Sequence, residues 1–342
     1  MPRYIIHIGP PKTATTYLQA NFTSLAPWLA EQGVLYPTDL GAPGHARLPQ
    51  MLSEPDAEVT LKPIFAKLNS SGAHTVLISA EDLAALRRQG IASLRRLIGN
   101  NLVYIVYYCR RWSEMIRSRW GERVKHGMDI TLADSIQAAT DTPLKVGAIN
   151  YDLSLARWSR AFGMAALRLV SLSVLADDKQ ELLGHFLQHQ LGITLDRLPS
   201  ATSQNQSLSL VDTEILRAFN SMFISAGNNP SSQLRRAYLH LNATLALDRA
   251  REAIKAGMGE IVFDETRPEM MAIHRDLYRK YAYALVPPKL DDLLFTPIRS
   301  VIRAPSQDYL NDAAVKREIA DAYGIVLDAS QKQARARPER VS

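Results

Sequence analysis

The apolar run Tyr4 to Ile8 passes without a spacer into Gly9-Pro10-Pro11-Lys12-Thr13-Ala14-Thr15-Thr16-Tyr17, and a helical pattern starts at Leu18. Aromatic and β-branched residues without polar alternation mark a strand buried on both faces, as at the centre of a parallel sheet. Three more runs of this kind follow: Thr75 to Ser79, Leu102 to Tyr108 and Leu167 to Leu172. The segments Thr16 to Glu31, Asp82 to Ile98 and Ser113 to Lys125 have the length and composition of crossover helices. This alternation predicts an α/β fold with a central parallel sheet and helices on both faces. In such folds ligands sit at the carboxyl ends of the strands.

At 342 residues the chain has room for one large or two ordinary domains of about 150 residues each. Hydrophobic residues at 46% and charged residues at 22% exclude a collagenous or wholly disordered chain. Cys109, the one cysteine, has no partner for an internal disulfide and reads as a buried apolar residue in a reducing compartment. The net charge of +6 owes about half its excess to the tail, where Lys332, Arg335, Arg337 and Arg340 face Glu339. No nucleic-acid partner is therefore expected, since that needs basic residues gathered on a folded face. No apolar run reaches the ~18 residues of a membrane span. Tyr4 to Ile8 is too short for a signal peptide and leads directly into the loop, so a cytoplasmic location is expected.

The organisation expected is a binding core over residues 1–210, a helical part of the same domain over 211–330, and a disordered basic tail over 331–342. Within the core, Pro37 to Pro63 reads as a loop-rich insertion that lines an acceptor pocket or covers the core. After Asn205 the chain shows no strand signal; Leu234 to Ala256 and Met270 to Tyr283 read as helices. Those C-terminal helices are candidates for acceptor contacts or for pairing subunits into a homo-oligomer.

A glycine turn, a lysine and a cluster of hydroxyls at a helix N-terminus make an anion site, because backbone N–H groups and the helix dipole point at one spot. The chemistry suggested is phosphate or sulfate binding. A Walker loop needs four residues between its first glycine and a Gly-Lys pair; here only Pro10 and Pro11 separate Gly9 from Lys12. A second anion site is suggested where Leu102 to Tyr108 ends in Cys109-Arg110-Arg111, with Ser118 eight residues beyond Arg110. A guanidinium fork and a hydroxyl suit a phosphate. A mononucleotide phosphorylated at both ends would need two such sites.

With these residues in place, the chain resembles the sulfotransferases that use 3′-phosphoadenosine-5′-phosphosulfate (PAPS). His7 to Thr16 looks like their 5′-phosphosulfate loop, and Arg110 with Ser118 is similar to their 3′-phosphate motif. Val76 to Leu83, Tyr151-Asp152 with Trp158, Phe162-Gly163 and Asn205 to Ser209 resemble segments of bacterial members acting on carbohydrates. One departure is Ala14, which stands where a glycine is usual. The resemblance implies a P-loop-like three-layer fold, PAPS as sulfuryl donor, 3′-phosphoadenosine-5′-phosphate (PAP) as product, and no metal. It implies that Lys12 stabilises the bridging oxygen as the 5′-phosphate leaves. Gly9, Pro11, Thr13, Ala14, Thr15 and Thr16 would form the phosphosulfate loop, Arg110 and Ser118 would take the 3′-phosphate, and Tyr17 would lie against adenine. The acceptor would be a hydroxyl, or an amine, of a glycan, lipid or small molecule, a glycan-like one first.

A hydroxyl acceptor also needs a general base. His45, in the long loop, titrates near neutrality when unperturbed; Glu81, at a strand end, is its rival. Each has a plainer reading: a solvated loop histidine, and a first-turn carboxylate at a helix dipole. Tyr17 reads equally as helix packing, and Trp112, Trp120 and Val124 fall on one helix face as core. Glu181, His185 and His189 share a helical spacing, but no further metal-ligand pattern accompanies them, and no metal site is assigned. Two other functions stay open: a P-loop kinase or NTPase, from Lys12-Thr13 and the acids Glu81-Asp82, and a nucleotide-binding scaffold that lacks the base.

Overall fold

Strand β1 (Arg3–His7) takes the middle of a five-stranded sheet. With β2 (Val34–Leu35), β3 (Thr75–Ser79), β4 (Val103–Cys109) and β5 (Leu167–Ser171) the order is β2-β3-β1-β4-β5, and every neighbouring pair is parallel. The computed structural model from which this is read describes residues 1–41, 44–146, 150–172, 179–195, 208–286 and 294–335. The α/β class expected from the sequence is the class observed.

Both faces of the sheet are covered. Ile5, Leu77, Val106, Tyr108 and Val170 share one cluster with Leu18, Phe22, Leu29, Leu183 and Phe186 of the helices Thr15–Ser24, Ala26–Glu31 and Lys179–Phe186. On the other face the Tyr4 ring stacks on Phe65, and its hydroxyl donates to Asn69 Oδ1 at 2.7 Å, both in the helix Ala57–Asn69. That helix packs on Arg88–Ile98, which packs on Asp152–Phe162. Because β2 and β3 lie to one side of β1 and β4 and β5 to the other, right-handed crossovers running in opposite directions place helices on opposite faces.

Three local expectations are corrected. Thr16 to Glu31 is two helices, because Pro27 has no N–H to continue the first one through Leu25. Asp82 to Ile98 is a 3₁₀ turn (Glu81–Ala85) followed by Arg88–Ile98; extended backbone at Leu86 and Arg87 separates them. Pro37 to Pro63 is less loop-rich than its prolines suggest, holding Leu48–Met51 and the start of Ala57–Asn69. Pro63 lies inside that last helix. The buried stripe Ala57, Leu61, Phe65 and Leu68 offsets the ~3 kcal/mol an interior proline costs.

The chain divides into two compact units that interleave in sequence: Met1–Trp112, Gly147–Gln204 and Arg267–Pro297 form the first, and Ser113–Val146, Asn205–Thr266 and Ile298–Ser342 the second. The sheet belongs to the first. The second buries Ile215, Leu216, Phe219, Tyr238, Ile254, Val315, Ile319 and Val326, and its Trp120 and Val124 are core as expected. A buried ion pair, Arg217 with Glu214 at 2.8 Å, is tied to Gln307 and Tyr309.

The second unit also corrects the all-helical reading of the C-terminal region: β6 (Met258–Asp264) and β7 (Arg299–Pro305) pair as antiparallel strands. Most of their side chains are at least partly exposed and their pairing spans a long insertion, so no buried apolar run announced them. The tail expected to be disordered from Gln331 is helical as far as Arg335, within Ala313–Arg335. An apolar stripe of Val315, Ile319, Ala322 and Val326 supports that helix. Residues 336–342 lie outside the described residues. No helix among the described residues is long and apolar enough to cross a membrane.

Candidate anion-binding site

Beyond β1 the chain turns sharply. Lys12 (φ 73°) and Ala14 (φ 58°, ψ 22°) are both left-handed. Alternating left-handed residues turn successive N–H groups towards one side and form an anion nest. Ala14 caps the helix Thr15–Ser24 without a side-chain hydrogen bond, so no side chain competes there for the positive end of the helix dipole. The conformation at position 14 is glycine's, and alanine holds it at a cost of about 1–2 kcal/mol. Local strain of this kind gathers where a ligand is gripped.

Side chains brace the turn from within. Buried Thr13 donates through Oγ1 to the Pro10 carbonyl at 2.7 Å. Gly9 is required by close approach: a Cβ there would lie 2.8 Å from His7 Nε2, 2.9 Å from Thr15 Cγ2 and 3.0 Å from Thr13 Oγ1. Gly9→Ala is therefore expected to destabilise the protein by about 1–3 kcal/mol through overpacking. Melting temperature is the measurement; a variant that melts with the wild type would show that the turn has slack.

Beneath the loop lies a polar network. His7 Nδ1 and Ser79 Oγ are 2.9 Å apart, and Gln19 Nε2 donates to Ser79 Oγ at 3.3 Å. His45 Nδ1 accepts from the Ser79 N–H at 2.9 Å, so the proton is on Nε2, which donates to the Pro37 carbonyl at 2.7 Å. The His45 N–H in turn donates to the Ser79 carbonyl at 2.9 Å. His45 is thus neither a solvated loop histidine nor placed to take a proton: it is fully buried, its Nδ1 fastens the long loop to the end of β3, and its Nε2 ties the loop back to Pro37 at its own start.

Burial pulls the His45 imidazole down to about 4, against the opposing hydrogen bond to Pro37, and pulls His7 down to about 3. Both lie below the ordinary 6.5, so the unfolded chain takes up these protons first. Stability is then full above pH ~6.5 and lost as pH falls towards 4 and 3, by about 2 kcal/mol per histidine at pH 5. Melting temperatures at pH 7.5 and 5.0 should differ by several degrees; equal values would contradict this burial.

Around the loop stand the other candidates. Glu81 opens the 3₁₀ turn after β3, is half-buried, and accepts from Thr15 Oγ1 at 2.7 Å. Arg110 follows β4 directly, and its Nη1 donates to the Lys12 carbonyl at 3.2 Å. Lys12 and Arg110, 98 positions apart, therefore meet at the carboxyl end of two neighbouring strands. Pro11 and Lys12 are half-buried and Thr16 is exposed, whereas Thr15 is buried. Tyr17 is half-buried and packs against the apolar cluster under its helix. Ser118 is half-buried in Trp112–Lys125 and belongs to the second unit, Arg110 to the first.

Some partners escaped the sequence reading. Gln19 and Ser79 complete the floor, and the Tyr151 hydroxyl donates to the Arg110 carbonyl. Only the resemblance at Tyr151-Asp152 pointed to that region. Cys109 is buried, and burial pushes its thiol up, away from nucleophile chemistry. His185 and His189 have ring centres 4.5 Å apart, and among the described residues no group of three or more His, Cys, Asp or Glu could hold a metal. Asn205, Gln206 and Ser207 lie outside the described residues.

No family model and no curated protein matches the chain. Among solved structures, a sulfotransferase from Alicyclobacillus acidocaldarius is similar at 14% identity and a TM-score of 0.37, covering 66% of this chain and 93% of that one.

Proposed function

We propose that the chain is a sulfotransferase that moves a sulfuryl group from PAPS to a hydroxyl of a glycan-like acceptor. The observation that carries this reading is the guanidinium of Arg110 against the backbone of Lys12, which sets a second cation beside an anion nest. One cation and a nest suit a single phosphate; two suit a nucleotide with charge at both ends.

In this reading the acceptor oxygen forms a bond to sulfur as the bond from sulfur to the 5′-phosphate oxygen breaks, and PAP departs. Sulfuryl transfer, like phosphoryl transfer, passes little covalent work to the protein, so positioning and charge stabilisation dominate. The Lys12 ammonium meets the charge growing on the leaving phosphate, while backbone N–H groups of the loop hold its oxygens. Glu81 takes the acceptor proton, a task His45 cannot share with both nitrogens engaged. Arg110 reads the 3′-phosphate.

The Thr15–Glu81 hydrogen bond also suits a P-loop kinase, in which a loop hydroxyl and a neighbouring acid hold magnesium. Against that reading, the loop lacks the spacing and the Gly-Lys pair of a Walker loop, only Pro10 and Pro11 separating Gly9 from Lys12.

Arg110 separates the readings. Losing a charge-assisted bond of about 1.5–3 kcal/mol, Arg110→Ala should weaken PAP binding by roughly 10- to 100-fold and adenosine 5′-phosphate far less, its loss limited to the bond Arg110 gives the Lys12 carbonyl. Isothermal titration with both nucleotides measures this. Equal losses for the two would remove the 3′-phosphate role.

A further inference from the structure

Four side-chain donors from one helix converge on three consecutive carbonyls of the turn that carries Glu81. From Asp152–Phe162, Ser154 Oγ and Arg157 Nη2 donate to Ala84 O at 2.8 and 2.9 Å, Arg157 Nη1 to Ala85 O at 3.2 Å, and Trp158 Nε1 to Leu83 O at 3.2 Å. Arg157 is spent on neutral carbonyls, and burial lowers its pKa, opposed by Tyr107 and reinforced by Arg88. A guanidinium at the carboxyl end of a turn satisfies carbonyls that a short 3₁₀ segment leaves open.

The other end of the same helix reaches Arg110. Tyr151, at its N-cap, donates its hydroxyl to the Arg110 carbonyl. Next to it, Asp152 accepts from the Tyr281 hydroxyl and, at 3.1 Å, from Lys280 Nζ. The helix is thereby fastened to Pro268–Tyr281 within the same unit.

We propose that Asp152–Phe162 is a strut that fixes Glu81 and Arg110 relative to each other, with Arg157 and Tyr151 as positioning residues. This rests on the reading of Glu81 as base and Arg110 as 3′-phosphate reader. An error of about 1 Å in the placement of such groups costs on the order of 100-fold in rate, so a rigid link between them has a function. Neither positioning residue needs to touch substrate.

The two ends of the strut should separate in kinetics. Arg157→Met is expected to lower kcat about tenfold while the KM for PAPS moves less than twofold. Tyr151→Phe, which removes one hydroxyl, should raise the PAP dissociation constant several-fold more than that of adenosine 5′-phosphate. Hydrogen exchange of the unliganded protein supplies a readout independent of nucleotide: the Leu86 amide, bonded to Leu83 O, should exchange faster in Arg157→Met than in wild type. If Arg157→Met does not fold, Ser154→Ala, which removes one donor to the turn, is judged by the same measurements with smaller shifts. Equal changes in kcat and KM, or unchanged exchange at Leu86, would overturn the strut. A wild-type protein that binds no PAP, yet whose Leu86 exchange quickens in Arg157→Met, would reject the functional reading and leave the mechanical link standing.

Discussion

Lys12→Met should lower sulfuryl transfer by roughly 10²- to 10³-fold, the usual effect of removing one preorganised charge-stabilising group. The backbone around Lys12 is held without its side chain: the carbonyl accepts from Arg110, and Thr13 closes the turn on Pro10. Methionine keeps the length of the stem and a Cβ, so the left-handed strain at φ 73° is the same before and after. Glycine would be the poorer test, because it would relax that strain while removing the charge. The loss should appear in single-turnover rates at saturating donor, with the melting temperature held. A rate within tenfold of wild type would remove Lys12 from the chemistry.

Glu81→Gln should slow the same step by roughly 10²- to 10⁴-fold, the range for loss of a general base. The amide oxygen can still accept from Thr15 Oγ1, so the loop and the donor affinity are expected to stay as they are. His45 supplies the contrast. Its replacement by glutamine breaks the fastening to Ser79 and Pro37 and should show as a lower melting temperature, with little change in rate per folded molecule. A Glu81→Gln enzyme at full rate would leave the acceptor proton without the base assigned here.

The parts of the fold that could be read from the sequence are those written in local pattern. Unalternating apolar runs gave β1, β3, β4 and β5 to within a residue or two, because a strand buried on both faces has no polar positions to hide it. Glycine, lysine and hydroxyls between strand and helix marked the turn after β1 that holds the two left-handed residues, and a strand-end arginine marked its neighbour. Pairings between distant residues left no such trace. Thr15 with Glu81, Ser79 with His45, and Arg157 with Ala84 are joined across 66, 34 and 73 positions. No periodicity encodes bonds of that kind, and a histidine used to fasten a loop looks in sequence like one free to titrate. The β6–β7 pair escaped because strands with much of their surface exposed carry mixed composition, and Pro63 misled because tertiary burial outweighs local propensity.

Whether the protein takes a 3′-phosphorylated nucleotide is read from the thermal stability of the wild-type protein with PAP in the absence of magnesium. A ligand that binds only the folded state raises stability by RT ln(1 + [L]/Kd), about 2.7 kcal/mol at a hundred times Kd. PAP should raise the melting temperature by several degrees, adenosine 5′-phosphate by less, and neither should need a metal. A protein stabilised by Mg-ATP and unmoved by PAP would contradict the PAPS reading.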